Sequence, residues 1–205
     1  MTKKTTMEQA TQTDGLVSVA RNDREAFGLL FDEFYPQIFA YCKRRLVRRT
    51  SAEDVTSEVF LKVAGSIQDF PGTSTEEFRK WLFRIATNQI NAHLRKSIRR
   101  RELLESAVEL GRIKSSVVET IIDSHTQLDW QSLYEALGEL SEREQSIISL
   151  RFFGSLSHNQ ISDVLVLKAG SVRVTLSRAL EKLKARLCNH ETSKPALSNT
   201  KHGVN

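Results

Sequence analysis

Arg84, Asn88, Asn91 and Arg95 recur at intervals of four, three and four residues, so a helix through them carries cations and amides on one stripe. The tract 95–101, Arg-Lys-Ser-Ile-Arg-Arg-Arg, prolongs that basic surface. Just upstream, Phe70-Pro71-Gly72-Thr73-Ser74-Thr75 has turn chemistry, with Trp81 soon after. Aromatic rings beside cations and amides can stack unpaired bases and hold the adjoining backbone. The competing reading places both rings in the core. Trp81 falls on an apolar helical stripe and is assigned there. For Phe70, at the edge of the turn, base stacking is favoured over the core.

A second group is Ser171, Arg173, Val174, Ser177 and Arg178, spaced to share one face of a helix whose other face is Val172, Leu176, Ala179 and Leu180. Before it, Ser157-His-Asn-Gln160 reads as a capping box opening a short helix, with a turn of about four residues between the two. This is the layout of a helix-turn-helix, in which arginine reads guanine or grips phosphate and small residues permit close approach to the groove. A plain helical hairpin with a solvated face is the alternative.

Catalytic constellations are missing from the sequence. It holds no phosphate-cradling glycine loop, no HExxH and no nucleophile elbow, and His93, His125, His158, His190 and His202 are scattered. Cys42 and Cys188 stand alone, without the spacing of a disulfide framework or a zinc site. No enzyme activity, metal or cofactor is therefore expected. No run approaches the ~18 apolar residues of a membrane span, and the polar start MTKKTTMEQATQTDG lacks a signal core, so a cytoplasmic location is expected. The 205 residues are 40% apolar and 27% charged, an ordinary globular composition. The net charge of +5 is unevenly spread: residues 1–101 carry +6, residues 102–144 carry −7 and residues 145–205 carry +6. Two basic lobes around an acidic middle favour a polyanionic partner.

The elements that position these residues read as all-α. Apolar residues from Phe27 to Leu46 form a helical stripe, with a break or kink predicted at Pro36 and cations Lys43 to Arg49 closing it. Ser51 reads as the N-cap of a second helix bearing Val55, Val59, Val63 and Ile67. Ser74 or Thr75 caps a third, with Phe78, Trp81, Leu82, Ile85, Ile90 and Leu94 on its buried side. Residues 102–130 are acidic and weakly periodic, a partly helical linker. Leu133, Leu137 and Leu140 suggest a short helix, and Ser141-Glu-Arg-Glu144 is a second capping box. The expected organisation is two small helical domains, 21–101 and 131–188, joined by that linker, with flexible ends at 1–20 and 189–205.

The run Phe78-Arg-Lys-Trp-Leu-Phe-Arg-Ile-Ala-Thr-Asn88 followed by His93-Leu-Arg resembles the WLxRIAxN…HLR signature of bacterial RNA polymerase sigma factors of the extracytoplasmic-function (ECF) group, within the sigma-70 family. Residues 26–45 and Ala52 to Phe60 are similar to the earlier helices of the same region 2. Leu140 to Glu144, Leu150-Arg-Phe, Leu156-Ser157, Gln160-Ile161 and Gly170-Ser-Val172 with Leu176, Arg178 and Ala179 resemble region 4. The resemblance implies a dissociable subunit that binds core RNA polymerase through its β′ and β subunits and directs promoter recognition, melting and initiation. It implies that Phe70, Gly72, Thr73, Ser74 and Thr75 line a base-capturing loop and that Arg84, Asn88, Asn91 and Arg95 face the −10 element. It places Asp54, Ser57 and Glu58 on the core-binding helix, and Ser171, Arg173, Val174, Ser177 and Arg178 on the −35 element. An anti-sigma factor is a further partner that the resemblance raises. The sequence departs from the family's usual residues at Ser57, Ala92, Val166 and Thr175. A stand-alone, dimeric helix-turn-helix regulator is the rival reading, and it leaves residues 21–101 without a role.

Overall fold

The computed structural model describes residues 15–46, 48–109 and 136–192. The linker between 110 and 135, the first fourteen residues and the tail beyond 192 lie outside the described residues. No strand occurs among those described, in accord with the all-α reading.

The first lobe is built from helices α1 (Arg24–Arg45), α2 (Arg49–Ser66) and α3 (Thr75–Glu109). Asp23 caps α1, its carboxylate accepting from the Ala26 amide at 2.7 Å, and Lys43, Arg44 and Arg45 sit in the last turn where the helix dipole favours cations. The predicted break at Pro36 does not occur: α1 runs through it without interruption. Pro36 and Asp32, whose carbonyl forfeits its intrahelical partner, both lie on the exposed side, where water can serve instead. Burial of Leu30, Phe34, Ile38, Tyr41 and Cys42 on the opposite face holds the helix straight across the site.

α2 begins at Arg49, two residues before the predicted Ser51 cap, and its N-cap position is Arg48, without a side-chain capping bond. The Arg49–Glu53 ion pair, 2.8 Å at i,i+4, spans that first turn instead. Residues 15–20 also depart from expectation. They form a short helical turn rather than part of a fraying extension, because Val17 and Ala20 are buried in the core.

α3 starts as predicted at Ser74. Its hydroxyl accepts from the Glu77 amide at 3.3 Å, while the Glu77 carboxylate accepts from the Ser74 and Thr73 amides at 3.1 and 3.0 Å. These amide bonds, Ser74 first, hold the Glu77 carboxyl below its ordinary range. The interior of the lobe is aromatic. Phe34 packs edge-on to Phe78, with centroids 5.3 Å apart, and Tyr41 meets Phe83 at 5.2 Å. The Tyr41 hydroxyl bonds the Thr87 hydroxyl at 3.0 Å, and burial pushes its pKa up to about 12. Phe70, read from sequence as lacking a packing partner, has two. It stacks on Trp81 at 4.8 Å, meets Phe78 at 5.8 Å, and is only 5% exposed.

The second lobe contains α4 (Glu142–Phe152), α5 (His158–Leu165) and α6 (Ala169–Thr192). Both predicted capping boxes are present, Ser141 with Glu144 and Ser157 with Gln160. The core joins Ile147 and Leu150 of α4, Leu156 of the connection, Ile161 and Val164 of α5, and Val172, Leu176 and Ala179 of α6. Leu180, predicted to be buried with them, is 36% exposed, since it lies beyond the reach of the short α5. Val166 closes α5 in the left-handed region, φ 55°, an arrangement that costs a β-branched residue ~1–2 kcal/mol. Glu144 ties α4 to α6: Lys182 donates to its carboxylate at 2.7 Å while Ser141 donates from backbone and hydroxyl. The Lys182 ammonium foremost, then the Ser141 bonds, hold its pKa at about 2.

Because Glu144 binds its proton far more weakly in the folded chain than in the unfolded one, the unfolded state takes up more protons as pH falls. The stability it confers is complete above its ordinary pKa of 4.5 and disappears as pH drops toward about 2. Denaturant melts of Glu144→Gln should therefore show lower stability than wild type at neutral pH and a shallower loss between those two values. Phe70→Ala should destabilise the first lobe by ~3–5 kcal/mol, the amount typical of a buried aromatic, read by thermal denaturation.

Candidate nucleic-acid interface

The turn 69–75 is pinned at three points. Arg21 donates through Nη2 to the Gly72 carbonyl from the N-terminal turn, Glu77 gathers the Thr73 and Ser74 amides, and Phe70 lies beneath. Gly72 is required here for space: a Cβ on it would fall 2.4 Å from Cζ of Phe70 and 2.9 Å from Cβ of Glu77. Thr73 is exposed, Gly72, Ser74 and Thr75 are half-buried, and Phe70 is not at the surface. A base entering this loop would meet its backbone and hydroxyls, with the Phe70–Trp81 stack as the floor.

From that loop α3 carries the stripe Arg84, Asn88, Asn91 and Arg95. Helical geometry aligns them as the spacing predicts, but three of the four are engaged by the second lobe. Arg84 donates through Nε to the Val164 carbonyl at 3.1 Å and through Nη2 to the Asp163 carbonyl. Asn91 is buried, accepting from Arg45 Nη2 at 2.9 Å and donating to the Ser146 hydroxyl at 3.3 Å. Arg95 holds the Glu142 carboxylate at 2.7 Å. Asn88 remains exposed.

Flanking residues that sequence reasoning passed over complete the junction. Lys80 pairs with Asp163 at 2.9 Å, and Arg79 donates to the Gly154 carbonyl at 2.6 Å. Arg45 donates to Gln145 Oε1 at 2.8 Å, and Arg44 lies 5.3 Å from the Phe153 ring centroid. Burial, foremost, keeps the Arg45 guanidinium below its ordinary pKa. Gly154 makes the close approach possible, because a Cβ there would stand 3.1 Å from Cε1 of Phe83 and 2.9 Å from the Leu150 carbonyl. The sequence signal for this set was present as unassigned basic residues beside the stripe. Their partners lie on the other lobe, so no local spacing could pair them.

On α6 the structure brings Ser171, Arg173, Val174, Ser177 and Arg178 to one exposed face, while Val172, Leu176 and Ala179 anchor the helix from behind. The turn from Val166 to Lys168 is three residues long, and the Leu167 amide donates to the Ser162 carbonyl at 2.9 Å. This face is free of the other lobe's contacts described above, and it has the form that a DNA groove accepts.

On α2, Asp54, Ser57 and Glu58 are exposed together, the Ser57 hydroxyl donating to the Glu53 carbonyl at 3.0 Å. Leu61 continues that face at 77% exposure, a residue that sequence reading missed although it falls out of phase with Val55, Val59 and Val63. Among the described residues no group of three or more His, Cys, Asp or Glu is placed to hold a metal ion, and no helix is long and apolar enough to cross a membrane. Cys42 is buried, and burial pushes its thiol up to about 11.

The two lobes coincide with two family models, Sigma-70 region 2 over residues 30–101 and Sigma-70, region 4 over residues 136–185. The chain is 28% identical over 166 residues to the ECF RNA polymerase sigma factor BldN of Streptomyces coelicolor, covering 80% of this chain and 61% of that protein. It is 27% identical over 186 residues to the ECF RNA polymerase sigma-E factor of Haemophilus influenzae, covering 88% of this chain and 97% of that one. Among solved structures, its fold matches the sigma factor RpoE of Bartonella quintana, crystallised with the anti-sigma factor NepR, with a TM-score of 0.58, 22% identity, and coverage of 79% of this chain and 96% of that chain. With both diagnostic regions present in order on the two lobes, the chain belongs to the sigma-70 family, in its ECF group, and is a sigma factor that directs RNA polymerase to promoters.

Proposed function

We propose that promoter recognition is divided between the lobes as follows. The α6 face reads the −35 element, with Arg173 and Arg178 as the long donors and Ser171, Val174 and Ser177 permitting close approach. The turn 69–75 takes up an unpaired −10 base through Gly72, Thr73, Ser74 and Thr75, while Arg84, Asn88, Asn91 and Arg95 hold the adjoining strand. Phe70 acts beneath the loop, fixing its shape through Trp81 and Gly72 rather than stacking on the base. Asp54, Ser57 and Glu58, with exposed Leu61 beside them, face core RNA polymerase. The chain works in the cytoplasm, where its polymerase and DNA are found, and an anti-sigma factor is a natural regulator because RpoE is crystallised with one.

The observation that carries this reading is the α6 face: five exposed residues of groove-reading type, set on a helix stapled by Val172, Leu176 and Ala179 and closed by a three-residue turn. The dimeric-regulator alternative is disfavoured, since it gives the region 2 lobe no task.

Each lobe presents a small surface, so the two promoter elements reinforce one another only when core polymerase sets the lobes at the right separation. Electrophoretic shifts on promoter duplex should show weak binding by the free chain and specific binding once core enzyme is added. Equal specific binding in both cases would favour the dimeric regulator. Arg173→Ala should lower transcription from −35-dependent promoters by the equivalent of ~1–3 kcal/mol while leaving co-purification with core polymerase intact. Full activity in that variant would mean that a different face of α6 enters the groove.

A further inference from the structure

We infer that region 4 of this chain acts as an internal stand-in for the promoter strand, closing over the −10 stripe of region 2 and holding the free protein in a state that must open before it can take DNA. The inference rests on the reading of that stripe as DNA-facing.

The chemistry of the junction supports it. DNA would offer the stripe a row of anionic oxygens, and the second lobe offers the same kind of acceptor. The C-terminal end of α5 presents the Asp163 and Val164 carbonyls to Arg84, at the negative pole of the helix dipole. The Asp163 carboxylate takes Lys80 at 2.9 Å, and the Glu142 carboxylate of α4 takes Arg95 at 2.7 Å. Asn91, the amide that would bond a base or its backbone, is buried with Arg45 on one side and Ser146 on the other. A cation bonded to a carboxylate or a helix-end carbonyl cannot give the same N–H to a phosphate, so region 4 and DNA exclude one another at Arg84, Asn91 and Arg95.

Two further features show that this is a fitted junction. Gly154 leaves the space into which Phe83 packs, and its carbonyl receives Arg79. The −35 face of α6 stays exposed in the closed form, so closure covers one promoter-reading surface and spares the other. The lobes are held by polar and ionic bonds, several of them exposed pairs that are individually weak. Such a closure yields to a competing polyanion, and it lowers the apparent affinity by the fraction of chains that are closed.

The test uses the full chain. Lys80→Cys/Asp163→Cys is made in a Cys188→Ser background and treated with a short bis-maleimide, Cys42 being buried and its thiol weakly acidic. Binding of a labelled mixed-sequence single-stranded oligonucleotide is followed by anisotropy. An intramolecular bridge should form, and bridging should weaken binding at least about ten-fold relative to the unbridged protein. In the unbridged protein, adding Arg84→Ala/Asn88→Ala should weaken binding several-fold although it also loosens the junction. Glu142→Gln/Asp163→Asn should strengthen binding about two- to ten-fold over the charge-matched control Asp32→Asn/Glu33→Gln. No intramolecular bridge, equal binding by bridged and unbridged protein, or a gain no larger than that of the control would overturn the closure while leaving the stripe's role standing. Binding indifferent to Arg84→Ala/Asn88→Ala would overturn both.

Discussion

The fold of this chain turns on how α3 meets its surroundings. One side of the helix is apolar and must be buried, so Phe78, Leu82, Phe83, Ala86 and Ile90 pack against α1 and α2 and define the first lobe. The other side is cationic and amidic, and its N–H donors need acceptors wherever the helix is covered. Everything else follows from satisfying those donors. In the closed arrangement they are met by α4 and the C-terminal end of α5, which is how two lobes of modest size come to share a junction.

That junction differs in kind from the two cores it connects. Each core is built from aliphatic and aromatic side chains in close contact, where loss of one ring leaves a void. The junction is built from arginine, lysine, glutamate, asparagine and backbone carbonyls. Its bonds exchange readily for bonds to water or phosphate, so it can open without unfolding either lobe. Glu144 marks the boundary. Its bonds to Ser141 and Lys182 lie wholly inside the second lobe, whereas Glu142, two residues earlier, reaches across to Arg95.

The turn 69–75 shows the opposite economy. Its geometry is fixed before any ligand arrives, by the Glu77 carboxylate below the Thr73 and Ser74 amides, by Arg21 on the Gly72 carbonyl and by the Phe70 ring under Gly72. A loop held in this way need not be ordered on binding, which spares the conformational entropy that a mobile loop would lose. The recognition turn is fixed as well, at some cost: Val166 adopts a left-handed conformation that glycine would tolerate better.

Much of this was legible from residues alone. Periods of three and four placed the helices, the serine-to-glutamate and serine-to-glutamine spacings located three helix starts, and the exposed α6 face followed from Val172, Leu176 and Ala179. These are local properties, set by interactions within one or two turns. The sequence misjudged Pro36, Ser51 and Leu180, where tertiary burial outweighs a local preference, and it could not see that Phe70 stacks on Trp81 across a turn. Above all, spacing aligned Arg84, Asn91 and Arg95 but said nothing of Asp163, Ser146 and Glu142. Residues about fifty to eighty positions apart meet only because two separate cores set the height and angle at which their polar faces approach, and no periodicity encodes that distance.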